Sequence, residues 1–243
     1  MRNRRGNWQY LVVALAMSAL LSAEVSAQAR RGKALARTAR APASLLEQDT
    51  LVECANLIYA GTKTSTCFSD KFLATTQRET NIEAQRRFEQ VKLSGDDLFN
   101  YPFSVMTGEG QFRLMEQERI NLKSYLTRGG FLLASAGCSS QEWDQSFRAE
   151  MKRIFPDLKL VKIPKDHKIF GTVFDITQIK LKKSSGEGVL EGLEMDGRIV
   201  LIYSSEGLND TANAGGGCCC CGGNEIKNSQ EVNVNIFTYS VTH

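Results

Sequence analysis

Residues 131–156 read FLLASAGCSSQEWDQSFRAEMKRIFP. Phe131–Ala136 is an uncharged run of apolar and small residues, too short for a helix and suited to a strand covered on both faces. Gly137-Cys138-Ser139-Ser140 interrupts it. Glu142–Phe155 then places Trp143, Phe147, Met151 and Ile154 on one stripe, the spacing of an amphipathic helix, and Pro156 closes it. A buried strand, a tight turn and a helix packed back along the strand make half of a β-α-β unit.

The same alternation runs through the rest of the chain. Leu51–Tyr59, Phe88–Leu93, Phe103–Thr107, Leu158–Ile163, Val173–Ile176 and Arg198–Ser204 read as further strands. Cys67–Arg78 and Leu114–Arg128 read as helices, the second ended by Gly129-Gly130. In the last segment Val232, Val234 and Ile236 alternate as in a strand, while Val232, Ile236 and Tyr239 also share a helical face. The fold class expected is α/β: a mainly parallel sheet with helices on both faces, in one domain over 49–243.

The N-terminus carries a different message. Arg2, Arg4 and Arg5 precede a short apolar run, Leu11–Leu21, and Val25-Ser26-Ala27 offers small residues for cleavage. Residues 1–27 therefore read as a secretory signal peptide, with an uncleaved anchor as the alternative. Residues 28–48 read as a basic, flexible linker without an apolar stripe. The expected location is exported, periplasmic or extracellular. Membrane contact is expected only through the signal segment or weakly through the basic linker.

Charge supports this division. Residues 1–40 hold eight Lys/Arg against one acid, which leaves the remainder at −4 in a chain of net charge +3. A mildly acidic body gives no footprint for nucleic acid. With 42% apolar and 23% charged residues the chain is neither disordered nor a disulfide miniprotein.

The block PFSVMTGEGQFRLMEQERINLKSYLTRGGFLLASAGCSS, followed by SFRAEMKRIFPD, PKDHKIF, LEMDGRIVLIYS and VNVNIFTYSVTH, resembles the domain of unknown function family 4159. The likeness runs from about Leu51 to the C-terminus. The family's members are expected to be exported or membrane-linked bacterial proteins with no established activity. The resemblance implies a three-layer sandwich, flavodoxin-like or similar to class I glutamine amidotransferases, and it favours a helix for the C-terminal segment.

Two sets of residues carry candidate chemistry. Cys138 lies in the turn between a buried strand and a helix, a placement similar to the nucleophile elbow of amidotransferase-like folds. Ser139-Ser140 stand where those elbows usually carry glycine. A thiolate there needs a general base; His167 is the candidate, the other histidine being the C-terminal His243. Glu109, in the Gly108-Glu109-Gly110 turn after a strand, would face the same crevice as an acid or ligand.

The second set is the run Cys218, Cys219, Cys220 and Cys221 between glycines. Three readings stand open: a thiolate-bound transition metal such as zinc, held by part of the run with Cys138 or His167; a strained, redox-active disulfide; or plain pairing elsewhere. Asn209-Asp210 and Asn224-Glu225 flank the run. A bridge between Cys54 and Cys67 is a further option, and seven cysteines leave at least one without an internal partner.

Two functions are therefore carried forward. The first is an exported ligand- or metal-binding module that uses the cysteine-rich loop beside the sheet's C-terminal crevice, its partner a protein or small molecule. The alternative is a cysteine-dependent hydrolase or amidase-like enzyme with Cys138 as nucleophile and His167 as base. Whether the chain is an enzyme is open at this stage.

Overall fold

The computed structural model describes residues 51–214, 218 and 223–243. The signal segment, the linker and Cys219–Cys221 lie outside the described residues. Seven strands form one sheet: β1 (Cys54–Ile58), β2 (Glu89–Lys92), β3 (Phe103–Gly108), β4 (Phe131–Ala136), β5 (Val161–Lys162), β6 (Glu191–Met195) and β7 (Arg198–Ser204). Four α-helices accompany them: α1 (Lys71–Glu79), α2 (Glu116–Thr127), α3 (Gln141–Ile154) and α4 (Ser229–Thr242). None of the described helices is long and apolar enough to cross a membrane.

The strand order is β2-β1-β3-β4-β7-β6-β5. The first five are mutually parallel, and β6 and β5 add antiparallel pairings at one edge. β3 and β4 are buried along their whole length, which is why they read as continuous apolar runs and not as alternating patterns. Side chains of opposite parity feed two cores. Phe103, Val105, Phe131 and Leu133 pack with Phe72 of α1 and Phe237 of α4. Met106, Leu132 and Ala134 pack with Leu122 of α2 and with Trp143 and Phe147 of α3. The sheet is thus the middle of three layers.

Phe131–Ala136 and Arg198–Ser204 form strands over the whole stretches expected, and α4 confirms the helical choice for the last segment. One expected strand is absent, the one at 158–163 shortens to Val161–Lys162, and one strand was not expected. Val173–Ile176 is not a strand, because its main chain is taken by α4: Asn235 Oδ1 accepts from Val173 N at 3.2 Å and Phe174 N at 2.8 Å. β6 escaped notice because EGLEM is polar and carries a glycine. Its signal was the next two residues. Asp196 and Gly197 both have positive φ, 51° and 79°, in the two-residue turn that an Asp-Gly pair favours between antiparallel strands.

At the C-terminal edge of the sheet one hydroxyl joins three elements. Tyr59 Oη donates to Thr107 O at 3.1 Å and accepts from Trp143 Nε1 at 2.6 Å. Gly108 lies against this pair; a Cβ there would sit 2.3 Å from Tyr59 Oη. Tyr59→Phe leaves the Trp143 donor buried without a partner, and a loss of about 1–3 kcal/mol is expected in denaturant titrations. Gly108→Ala should destabilise as well, through overpacking at the same point.

Candidate functional site

Chain order reverses at β1, whose neighbours are β2 on one side and β3 on the other. In open α/β sheets the crevice beyond the carboxyl ends of such strands is where ligands bind. Here it is bordered by the loops that follow β1, β3, β4 and β7.

The loop after β4 is the most constrained. Gly137–Ser139 make a 3-10 turn in which Cys138 (φ 54°) and Ser139 (φ 56°) are both left-handed. Non-glycine residues pay roughly 1–3 kcal/mol each for that conformation, so surrounding contacts must hold it. They do. Ser139 Oγ donates to Glu206 O at 2.7 Å, beyond β7. Ser140 caps α3 by accepting from Trp143 N at 3.3 Å, and it also accepts from Gly110 N at 3.1 Å. Gly137 packs on the strand beside it, where a Cβ would meet Gly108 O at 3.0 Å.

This turn carries Cys138 to the loop after β3, with its Sγ 2.9 Å from Glu109 Oε1. Glu109 is exposed. Lys63 Nζ, from the loop after β1, donates to Glu109 O at 3.3 Å. Two of the three residues singled out for catalysis therefore meet.

His167 does not join them. It caps a short 3-10 turn, Lys168–Gly171, with Nδ1 accepting from Ile169 N at 3.2 Å, and its ring lies edge-on to Tyr239, centroids 5.5 Å apart. Tyr239 is in the last turn of α4, beside Ser240, whose carbonyl accepts from Arg198 at the start of β7. His167 is thus at the N-terminal edge of the parallel strands and Cys138 at the C-terminal edge, separated by the length of β4, roughly 17 Å at about 3.3 Å per residue. The reason is α3: following Cys138 directly, it returns the chain to the far edge of the sheet before His167 is reached.

The cysteines are also rearranged. Cys67 pairs with Cys218 in a disulfide, Cα atoms 4.9 Å apart across a sequence separation of 151. Cys138 is disulfide-bonded too. Cys54 is buried and free, so the bridge between Cys54 and Cys67 does not form. Its thiol is pushed up to about 12 by burial and by the charge of Glu53. For the metal expectation this is a correction at Cys218, since a sulfur held in a disulfide is not a thiolate ligand. Among the described residues no cluster of three or more His, Cys, Asp or Glu is placed to hold a metal ion.

Sequence reasoning missed what supports the crevice from beneath. Asn209 Oδ1 accepts from Thr107 Oγ1 and from Ser135 Oγ, each at 3.0 Å, which ties the ends of β3 and β4 to the loop after β7. Ser135 Oγ in turn accepts from Leu208 N at 2.6 Å. Hydroxyls inside otherwise apolar strands, Thr107 in FSVMT and Ser135 in FLLASA, were the available signal, since a buried hydroxyl needs a partner. The acids flanking the cysteine run are buried. Glu225 Oε2 accepts from Lys182 Nζ at 3.0 Å and from Thr211 Oγ1 at 2.9 Å. Both carboxylate oxygens of Asp210 accept from Asn213 Nδ2, yet burial raises the Asp210 carboxyl above its ordinary value.

Three outcomes follow from this geometry. Non-reducing peptide mapping should recover Cys67 linked to Cys218, and the double serine variant should lose roughly 2–5 kcal/mol of stability, as expected for a native disulfide closing a long loop. Cys54 should resist iodoacetamide at pH 8 until the protein is unfolded. A carboxyl raised in the fold favours the folded state below its unfolded value and opposes it as pH rises through the folded one. Asp210→Asn should accordingly raise the melting temperature at pH 7, and the gain should vanish below about pH 4, the ordinary aspartate value.

No match to the chain occurs among curated proteins. A family match spans residues 54–241, from the first residue of β1 to within two residues of the C-terminus. By that match the chain belongs to the family described as Domain of unknown function (DUF4159).

Proposed function

We propose that the chain is an exported binding domain that takes a small polar ligand at the C-terminal crevice of its sheet, and whose cysteines act there as disulfide staples. The observation that carries the reading is the left-handed Cys138-Ser139 turn, which sets Cys138 Sγ 2.9 Å from exposed Glu109. Strained backbone held by so many contacts is typical of ligand sites. The position, beside the switch point, is the one at which this class of sheet recognises ligands.

Several features support the parts of this reading. The five parallel strands follow one another in the order of a flavodoxin-like sheet, which supports that fold and the likeness to class I glutamine amidotransferases. The positive n-region, short apolar run and small residues at 25–27 support export. Disulfides persist in oxidising compartments, which agrees with a periplasmic or extracellular location. With Cys218 and Cys138 oxidised, a ligand would meet Glu109 and the main chain of the crevice loops in place of thiolates.

The contact between Cys138 and Glu109 also favours a second reading, a cysteine-dependent hydrolase acting once the Cys138 disulfide is reduced. Glu109 would replace His167 as base, taking the thiol proton as sulfur adds to an acyl carbon and passing it to the alcohol or amine that leaves; water would then cleave the thioester and restore the thiol.

A fragment screen followed by protein-observed NMR separates the two. For the binding domain, hits should shift resonances around Glu109 and Ser139 in the oxidised protein, with affinity lost at least tenfold in Glu109→Gln. Shifts confined to other regions would overturn it. For the enzyme, mildly reduced protein should give a burst with a p-nitrophenyl ester that both Cys138→Ser and Glu109→Gln abolish.

A further inference from the structure

A cavity of about 700 Å3 opens at the opposite, N-terminal edge of the sheet. Its size falls within the range of small-molecule sites. β5 and the segment that follows it form one wall, the turn between β6 and β7 another, and the end of α4 a third.

The lining combines an apolar surface with an excess of positive charge. Ile163 and Ile199 are buried core residues that surface here, and Val161 beside them is 64% exposed. Tyr239 forms an aromatic post. His243 stacks on it at 4.9 Å, His167 meets its edge, and Lys168 Nζ stands 5.8 Å from the ring centroid. Both histidines of the chain therefore converge on one ring. His167 Nδ1 is already occupied by Ile169 N–H, so the neutral ring carries its proton on Nε2, as a donor.

Lys159, Lys162, Lys168 and Arg198 line the cavity against the carboxylates of Asp157 and Glu194, and among the described residues none of these four cations makes an ion pair. Arg198 is the most committed. Its guanidinium donates to Gly129 O at 3.2 Å and Ser240 O at 3.3 Å, while its Nε is buried without a partner. Main-chain carbonyls orient a guanidinium but leave its charge unneutralised, and a planar, pre-oriented guanidinium favours oxyanions.

We propose that this cavity binds a small organic anion, its aromatic or short acyl body against Val161, Ile199 and Tyr239 and its anionic group facing Lys162, Lys168 and Arg198. The site is independent of the C-terminal crevice. It shares no residue with that crevice, and the sheet lies between them.

The test is isothermal titration of the full chain with phenyl phosphate, alongside inorganic phosphate, benzyl alcohol and phosphatidylglycerol vesicles. Phenyl phosphate should bind in the millimolar range or tighter and at least tenfold better than inorganic phosphate or benzyl alcohol. Lys162→Glu/Lys168→Glu, both exposed positions, should weaken it at least tenfold with the circular dichroism spectrum unchanged. Arg198→Gln should weaken it independently. Unchanged affinity in the charge-reversed variant would overturn the proposal. So would inorganic phosphate binding as well as phenyl phosphate, or absence of phenyl phosphate binding. Vesicle binding without phenyl phosphate binding would replace it with a membrane headgroup.

Discussion

The C-terminal edge of the sheet depends on the hydroxyl of Tyr59. It stands at the end of β1, bonds the carbonyl of Thr107 on β3 and receives the indole N–H of Trp143 on α3. Gly108 must therefore be glycine, because any side chain would occupy the space of that hydroxyl. Gly137 packs on the Gly108 carbonyl, which a Cβ of its own would meet at 3.0 Å, so the left-handed Cys138-Ser139 turn starts beside the same contact. The hydroxyl is a constraint because leaving either of its partners unpaired costs more than the bond itself contributes.

The disulfides bear on the same edge. Cys67 follows β1 and Cys218 follows β7, so their bridge spans the mouth of the crevice between segments remote in sequence. Together with the Asn209 hydrogen bonds beneath, the loop after β7 is tied to β3, β4 and the loop after β1. The polar contacts fix the loop's root, and the covalent one joins its Cys218 to Cys67. A ligand of the kind proposed for this edge would meet a surface organised before it arrives, which lowers the ordering cost of binding.

The two ends of the sheet differ in chemistry. At the C-terminal end are carboxylates, Glu109, Glu206, Asp210 and Glu225, with oxidised cysteines. At the N-terminal end are lysines, Arg198 and both histidines around Tyr239. α3 accounts for this separation, since it carries the chain from Cys138 to the far edge. It is pinned to α2 by buried Glu150, whose Oε2 accepts from Arg119 Nε at 2.7 Å. A rigid helix between them keeps Cys138 and His167 a full strand length apart.

The order of strands and helices was legible from residues 131–156 outward, because burial on two faces removes charge from a strand and a single buried stripe sets the period of a helix. Polar β6, the shortening of the 158–163 strand to β5 and the displaced segment at 173–176 were not legible; their states are set by partners, β7 for β6, β6 for β5 and Asn235 for the third. The site divides along the same line. Glu109 and Cys138 could be paired from sequence, since both occupy turns after neighbouring buried strands and β-α-β topology brings such turns together. His167 could not be placed, because its position depends on where the chain goes after α3 and on its packing against Tyr239. Nor could the partner of Cys67 be chosen among six other cysteines, as disulfide geometry is a matter of Cα positions and not of spacing. Composition and periodicity determined which elements exist and which turns share an edge. Tertiary packing alone decided which sulfurs meet, where the histidines go, and that four cations line one cavity beside two carboxylates with none of the four in an ion pair among the described residues.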